Sequence, residues 1–122
     1  MSGRAESWVV LLQRGEEDAL YEAAAMAASA TSLAIAVTVV WFDAALEELV
    51  AGRLEEAGAR PSSAAELFAA ARETGLLRSL ACSASAVSWR VEIEKVRESV
   101  DEIVGWPTLI SLMRASDKTF VW

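Results

Sequence analysis

Ala23 to Phe42 is a run of 20 residues without a charge, and it narrows the possible folds more than any other feature of the chain. On length alone such a run spans a bilayer, since a membrane helix needs about 20 apolar residues. Its internal make-up argues otherwise. The first half is rich in Ala and interrupted by Ser29, Thr31 and Ser32, whereas the second half is β-branched. A buried helix running into a buried strand accounts for both halves and for the polar break between them. Strands that are apolar on both faces belong to parallel sheets covered by helices on both sides.

The rest of the chain repeats this alternation, which is the signature of βαβ units. Trp8–Leu12 is an apolar run too short for a helix and reads as the first strand. Glu16–Ala30 reads as a helix, with acidic residues in its first turn where the dipole favours them. Leu33–Phe42 is the second strand. Asp43 suits an N-cap, followed by Leu46, Leu49, Val50 and Leu54 on one helical face, with Gly58 and Pro61 as the stop. Ser63 and Glu66 form a capping box ahead of the stripe Ala64, Leu67, Phe68 and Ala71, and Gly75 ends that helix. Leu76–Ala81 is the third strand, with Cys82 at its end. Residues 85–98 read as mostly helical, although Trp89, Val91 and Ile93 alternating with Arg90, Glu92 and Glu94 also fit a strand. Val100–Val104 is a short fourth strand, Pro107 suits the first position of a helix, and Lys118–Trp122 closes the sheet, at its edge. Residues 1–122 thus read as one α/β domain with a mainly parallel sheet of about five strands.

Composition removes several functions. The net charge is −7, from 18 acidic and 11 basic residues, and only two of the latter are lysines. With no basic run to neutralise phosphates, neither nucleic acid nor an anionic membrane surface is an expected partner. One Cys and no His exclude an internal disulfide, a Ser-His-Asp triad, an internal Cys-His pair and a Cys/His zinc site. The lone thiol, without a secretory leader pattern, fits a reducing cytoplasm. Gly15 is a single glycine rather than a phosphate-binding motif, and Glu16, Glu17 and Asp18 put negative charge where a phosphate would sit. No cofactor and no metal are expected. Hydrophobic residues make up 54% of the chain, so some apolar surface should be covered by a partner, most simply another copy.

Ligands of open α/β sheets bind beyond the carboxyl ends of the strands. Here those ends carry Gln13 and Arg14, Trp41 and Phe42, Cys82, and Gly105 and Trp106. Cys82 also stands at a helix start, where unpaired N–H groups favour a thiolate. Two readings of it stay open: a reactive nucleophile, or a small buried hydrophobe. Of the five tryptophans, Trp8 and Trp89 read as core, Trp41 and Trp106 as pocket walls, and Trp122 as a subunit anchor. The pairs Glu47–Glu48 and Glu55–Glu56 read as a solvated helix face.

The run Ser79-Leu80-Ala81-Cys82-Ser83-Ala84-Ser85-Ala86 resembles the cysteine segment of DsrE/DsrF/DsrH-like proteins. Val100-Asp101-Glu102-Ile103-Val104-Gly105-Trp106-Pro107-Thr108-Leu109 is similar to that family's short strand, glycine turn and helix, and Asp117–Trp122 resembles its last strand. The resemblance implies a three-layer α/β/α Rossmann-like fold, a homo-oligomer (trimer or hexamer), and a persulfide relayed on the matching cysteine, Cys82. Arg14, Trp41, Ser83 and Trp106 are then the candidate substrate-binding residues, with a sulfur donor or acceptor protein as partner. Two departures stand out: Ala84 and Ala86 replace methionines frequent after the family's cysteine, and the loop Gln13–Asp18 is not Gly-rich. A non-catalytic oligomeric protein-binding module of the same fold is the alternative. A thiol peroxidase ranks lower, since there is no resolving Cys and no arginine placed locally to activate peroxide.

Overall fold

A computed structural model describes residues 6–122; the first five residues of the expected domain lie outside it. The core is a five-stranded, all-parallel sheet in the order β4-β3-β2-β1-β5. Its strands are β1 (Ser7–Leu12), β2 (Ala36–Trp41), β3 (Leu77–Cys82), β4 (Glu102–Val104) and β5 (Lys118–Val121). The helices between them are α1 (Glu17–Ser32), α2 (Asp43–Val50), α3 (Ala64–Glu73), α4 (Ser83–Ser88), α5 (Ile93–Ser99) and α6 (Trp106–Ala115). Helices lie on both sides of the sheet, giving a three-layer Rossmann-like α/β fold.

The strand order explains the layering. From β1 to β4 each crossover steps the same way, so right-handed connections put their helices on one face. The connection from β4 back to β5 runs the other way and puts α6 on the opposite face. Two apolar clusters follow. One joins Val10, Leu12, Val37, Val39, Trp41 and Ala81 of the sheet to apolar residues of α1 through α5, such as Ala27, Leu46, Ala71, Ala86 and Val96. The other joins Val9, Val40, Phe42, Leu80, Cys82 and Val104 to Leu109 of α6. Neighbouring residues of one strand thus serve different cores, as the two-residue period of a strand requires. The uncharged run resolves into the tail of α1 and β2, and among the described residues no helix is long and apolar enough to cross a membrane.

The capping box forms as expected: Ser63 Oγ accepts from Glu66 N at 3.1 Å, and Glu66 Oε1 accepts from Ser63 N at 3.3 Å. Elsewhere the structure corrects the sequence reading, mostly at helix ends. The helix after Asp43 does not reach Leu54. It closes after Val50 because Gly52 takes φ 76°, and Leu54 belongs to a separate 3-10 turn, Arg53–Glu55. Residues 85–98 are not one helix. After α4, Arg90 adopts φ 52°, its N–H donates to Val87 O and the Val91 N–H donates to Ala86 O. That is the two-bond left-handed closure normally given to glycine. Ala34, at φ 65°, closes α1 the same way, with Ala34 N donating to Thr31 O and Ile35 N to Ala30 O, so β2 begins at Ala36 rather than Leu33. Trp89 is not core, being 42% exposed. Trp8 is half-buried with its ring centroid 5.1 Å from that of Phe120. At the β5 edge, the Trp122 indole donates to Glu22 at 3.2 Å.

Candidate functional site

The carboxyl ends of β1, β2, β3 and β5 enclose a cavity of about 400 Å³ with the starts of α4 and α6. Cys82, the last residue of β3, stands beside Val104 of β4 in the sheet register and directly precedes α4. It is 1% exposed and packs among the apolar side chains of the α6 face. It also contributes to the cavity wall, together with Leu11, Phe42, Ala84, Trp106 and Val121. Cys82 is thus nearly closed to solvent at the inner wall of a hollow whose outer members are exposed: Trp106 by 48% and Val121 by 62%. The Trp106 and Phe42 ring centroids lie 5.5 Å apart, so two aromatic rings flank the space in front of the cysteine.

The polar side of the cavity comes from Gln13, Asp43, Ser85 and Ser88. Asp43 was expected to cap its own helix. Instead its backbone turns left-handed, φ 46°, where β2 meets α2, and its Oδ1 accepts from Ser85 Oγ at 2.8 Å. This bond ties the end of β2 to the first turn of α4, the segment that follows Cys82. Asp tolerates the left-handed region better than most residues, at a cost on the order of 1 kcal/mol, and such strain gathers at functional sites. The sequence carried one usable signal for Asp43: it immediately follows a strand end. Ser85 carried none.

The other candidates divide by position. Trp106 shares the cavity with Cys82. Ser83 is half-buried at the first position of α4, and its Oγ lies 3.7 Å from where a Cβ on Gly105 would sit; it borders the cavity residues without lining the space. Arg14 is turned away, paired with Glu16 at 3.2 Å, in a separate shallow hollow with Ala44 and Glu47. Trp41 lies on the opposite face of the sheet, its ring centroid 5.3 Å from that of Phe68. Trp41 and Phe42 are adjacent in the chain, and the strand pleat sends them to different cores. Gly15 has a packing role: a Cβ there would meet the Ala44 Cβ at 2.9 Å, so glycine lets the loop after β1 approach α2.

A parallel sheet with a thiol under its carboxyl edge, and no second cysteine anywhere in the chain, suits single-thiol chemistry with an external partner. No curated protein matches the chain. The model of the DsrE/DsrF-like family matches residues 8–122, essentially the whole length. The chain belongs to the DsrE/DsrF-like family and is a small protein of the sulfur-relay type.

Proposed function

We propose that the protein carries sulfane sulfur as a persulfide on Cys82, in the cytoplasm, receiving it from one protein or small thiol and passing it to another. The observation that carries this reading is the position of the one cysteine at a strand-end cavity large enough for a second sulfur and part of its carrier. In the loading step the Cys82 thiolate attacks the terminal sulfur of a donor persulfide, R–S–SH. A new S–S bond forms as the donor S–S bond breaks, and the donor leaves as a thiolate that takes a proton from water. No oxidant is consumed. Delivery is the same exchange, with an acceptor thiolate attacking the sulfur held on Cys82. Phe42 and Trp106 provide apolar walls that shield the loaded sulfur, and Ser85 and Ser88 bring hydroxyl-bearing positions of α4 to the cavity wall.

Incubation with glutathione persulfide followed by intact-protein mass spectrometry tests the reading. The expected product gains the mass of one sulfur atom, loses it to excess thiol, and is absent in Cys82→Ser. An unmodified chain sinks the proposal.

The second reading, a non-catalytic homo-oligomeric module that binds a partner protein, is favoured by a separate observation. Trp106, Ile110 and Val121 are large apolar side chains exposed on the side covered by α6 alone, and Cys82 is almost fully buried. It predicts an oligomer at micromolar concentration whose cysteine resists both persulfide and alkylating reagents.

A further inference from the structure

Among the described residues, Asp43 is the one charged side chain in the wall of the Cys82 cavity, and no lysine or arginine lines it. Hollows elsewhere on the molecule have arginine in their walls: Arg72 near Trp41 on the opposite face, Arg53 and Arg60 near Tyr21, and Arg14 near Glu16. The Asp43 carboxylate is only half committed. Its Oδ1 accepts from Ser85 Oγ at 2.8 Å, and Oδ2 has no partner among the described residues. The Trp41 indole N–H also lacks a partner among the described residues but is sealed from solvent, whereas Oδ2 is not. The net charge of −7 gives the surrounding field the same sign as this carboxylate.

We infer that Asp43 makes the cavity selective by charge. It favours sulfur donors that carry an ammonium group close to the reacting sulfur, as in the persulfides of small aminothiols, and disfavours donors with a carboxylate, sulfonate or other oxyanion there. This donor class rests on the reading of Cys82 as a sulfur carrier. Coulomb attraction acts across the cavity without a contact between ligand and carboxylate. Phe42 and Trp106, in the same wall and 5.5 Å apart between ring centroids, add attraction for an ammonium that meets a ring face. The exchange is otherwise as written above: Cys82 takes the terminal sulfur, and the aminothiol leaves as a thiolate that is protonated by water. Glutathione, whose charges lie farther from its sulfur, stands between the two classes.

Three methanethiosulfonates of similar size test the inference on the intact chain: the 2-aminoethyl (cationic), 2-hydroxyethyl (neutral) and 2-sulfonatoethyl (anionic) reagents. The Cys82 thiolate attacks the sulfenyl sulfur, a mixed disulfide forms and methanesulfinate leaves, so charge preference is read without a persulfide. Rates are followed by mass spectrometry near physiological salt, where charges beyond about 8 Å are largely screened, and are divided by those of free 2-mercaptoethanol. The cationic reagent should label Cys82 about tenfold faster than the anionic one, with the neutral reagent between them, the scale of one partly solvated charge. Taking ratios between reagents cancels any change in the reactivity of the thiol itself. Asp43→Asn should bring the three rates within about twofold of one another. Asparagine suits the left-handed backbone at φ 46°, and its side-chain oxygen still accepts from Ser85, so the charge alone is removed. Glu73→Gln removes a charge exposed at the end of α3 on the opposite face and should leave the preference in place. The persulfides of cysteamine, 2-mercaptoethanol and mercaptoacetate should load Cys82 in the same order. Equal rates, faster labelling by the sulfonate, or a preference that survives Asp43→Asn overturns the charge selection and leaves the carrier reading standing. Selective labelling with no sulfur gained from any of the three persulfides overturns the carrier reading and, with it, the donor class. A Cys82 inert to all three reagents overturns both.

Discussion

The two faces of the sheet share the same five strands and are finished differently. One is covered by α1 to α5, whose small residues Ala23, Ala24, Ala27, Ala45 and Ala71 let the helices pack close. The other is covered by α6, leaving Val121 and the outer side of Trp106 in water. Each face has a cavity near the end of β2, and adjacent residues reach into them, Trp41 into one and Phe42 into the other. The thick face encloses a large indole with an unpaired donor, whereas the thin face holds the cysteine under an open rim. The difference teaches that crossover direction, more than local composition, decides where this fold exposes chemistry. Three steps one way build a wall, and a single return step leaves a ledge.

Truncation at the two adjacent positions measures that asymmetry. Trp41→Ala removes the larger and more deeply buried side chain, 2% exposed, and should cost about 5 kcal/mol in urea denaturation, the upper end for aromatic-to-alanine changes. Phe42→Ala removes a smaller ring, 7% exposed, and should cost about 3 kcal/mol. It should also speed alkylation of Cys82 severalfold at fixed pH, which Trp41→Ala should do only by unfolding the chain. Equal costs, or faster alkylation from folded Trp41→Ala alone, would break the comparison. A control lies away from both cavities. Ala34 is exposed and left-handed, so Ala34→Gly removes a Cβ penalty of about 1–2 kcal/mol and gives back part of it as unfolded-chain entropy. The expected net gain is about 1 kcal/mol, with Cys82 alkylation unchanged.

The same residues explain how much was readable in advance. Strand positions, the parallel sheet, the capping box and the placement of Cys82 at a strand end follow from apolar runs, a Ser-x-x-Glu pattern and strand-length spacing, all local signals. Gly75 announced the end of α3 because glycine favours φ 77°. Ala34 and Arg90 impose the same turn without the residue that usually marks it, so the end of α1 and the break between α4 and α5 were hidden. Trp41 and Arg14 were grouped with Cys82 because all lie near strand ends. Pleat parity, which sends Trp41 to the other face, requires the register to one residue, and the ion pair with Glu16 that holds Arg14 is a side-chain choice no pattern encodes. Asp43 was assigned to its own helix because its partner, Ser85, is 42 residues away in the chain.

The finest test of the comparison concerns Asp101, which clasps the margin of the Trp41 cavity and has no place in the Cys82 cavity. Partial burial pushes its carboxyl pKa up, but the Ser79 N–H, donating at 2.7 Å, and the Arg72 guanidinium outweigh this and hold it below the ordinary value of 3.8. A carboxyl lowered in the folded state stabilises fully above the unfolded pKa, and the contribution is lost as pH falls through 3.8 toward the folded value, where the unfolded chain takes up the proton first. Both partners of the ion pair are substantially exposed, so the contribution stays under about 1 kcal/mol, as for other solvated pairs. Asp101→Asn should therefore lower stability slightly at neutral pH and flatten its decline between pH 5 and 3. In the same variant Arg72 loses its charged partner at the edge of the Trp41 cavity, while Cys82 alkylation stays the same. Altered Cys82 reactivity in Asp101→Asn would mean that the two faces communicate through β3, and that the sheet does not keep the two cavities apart.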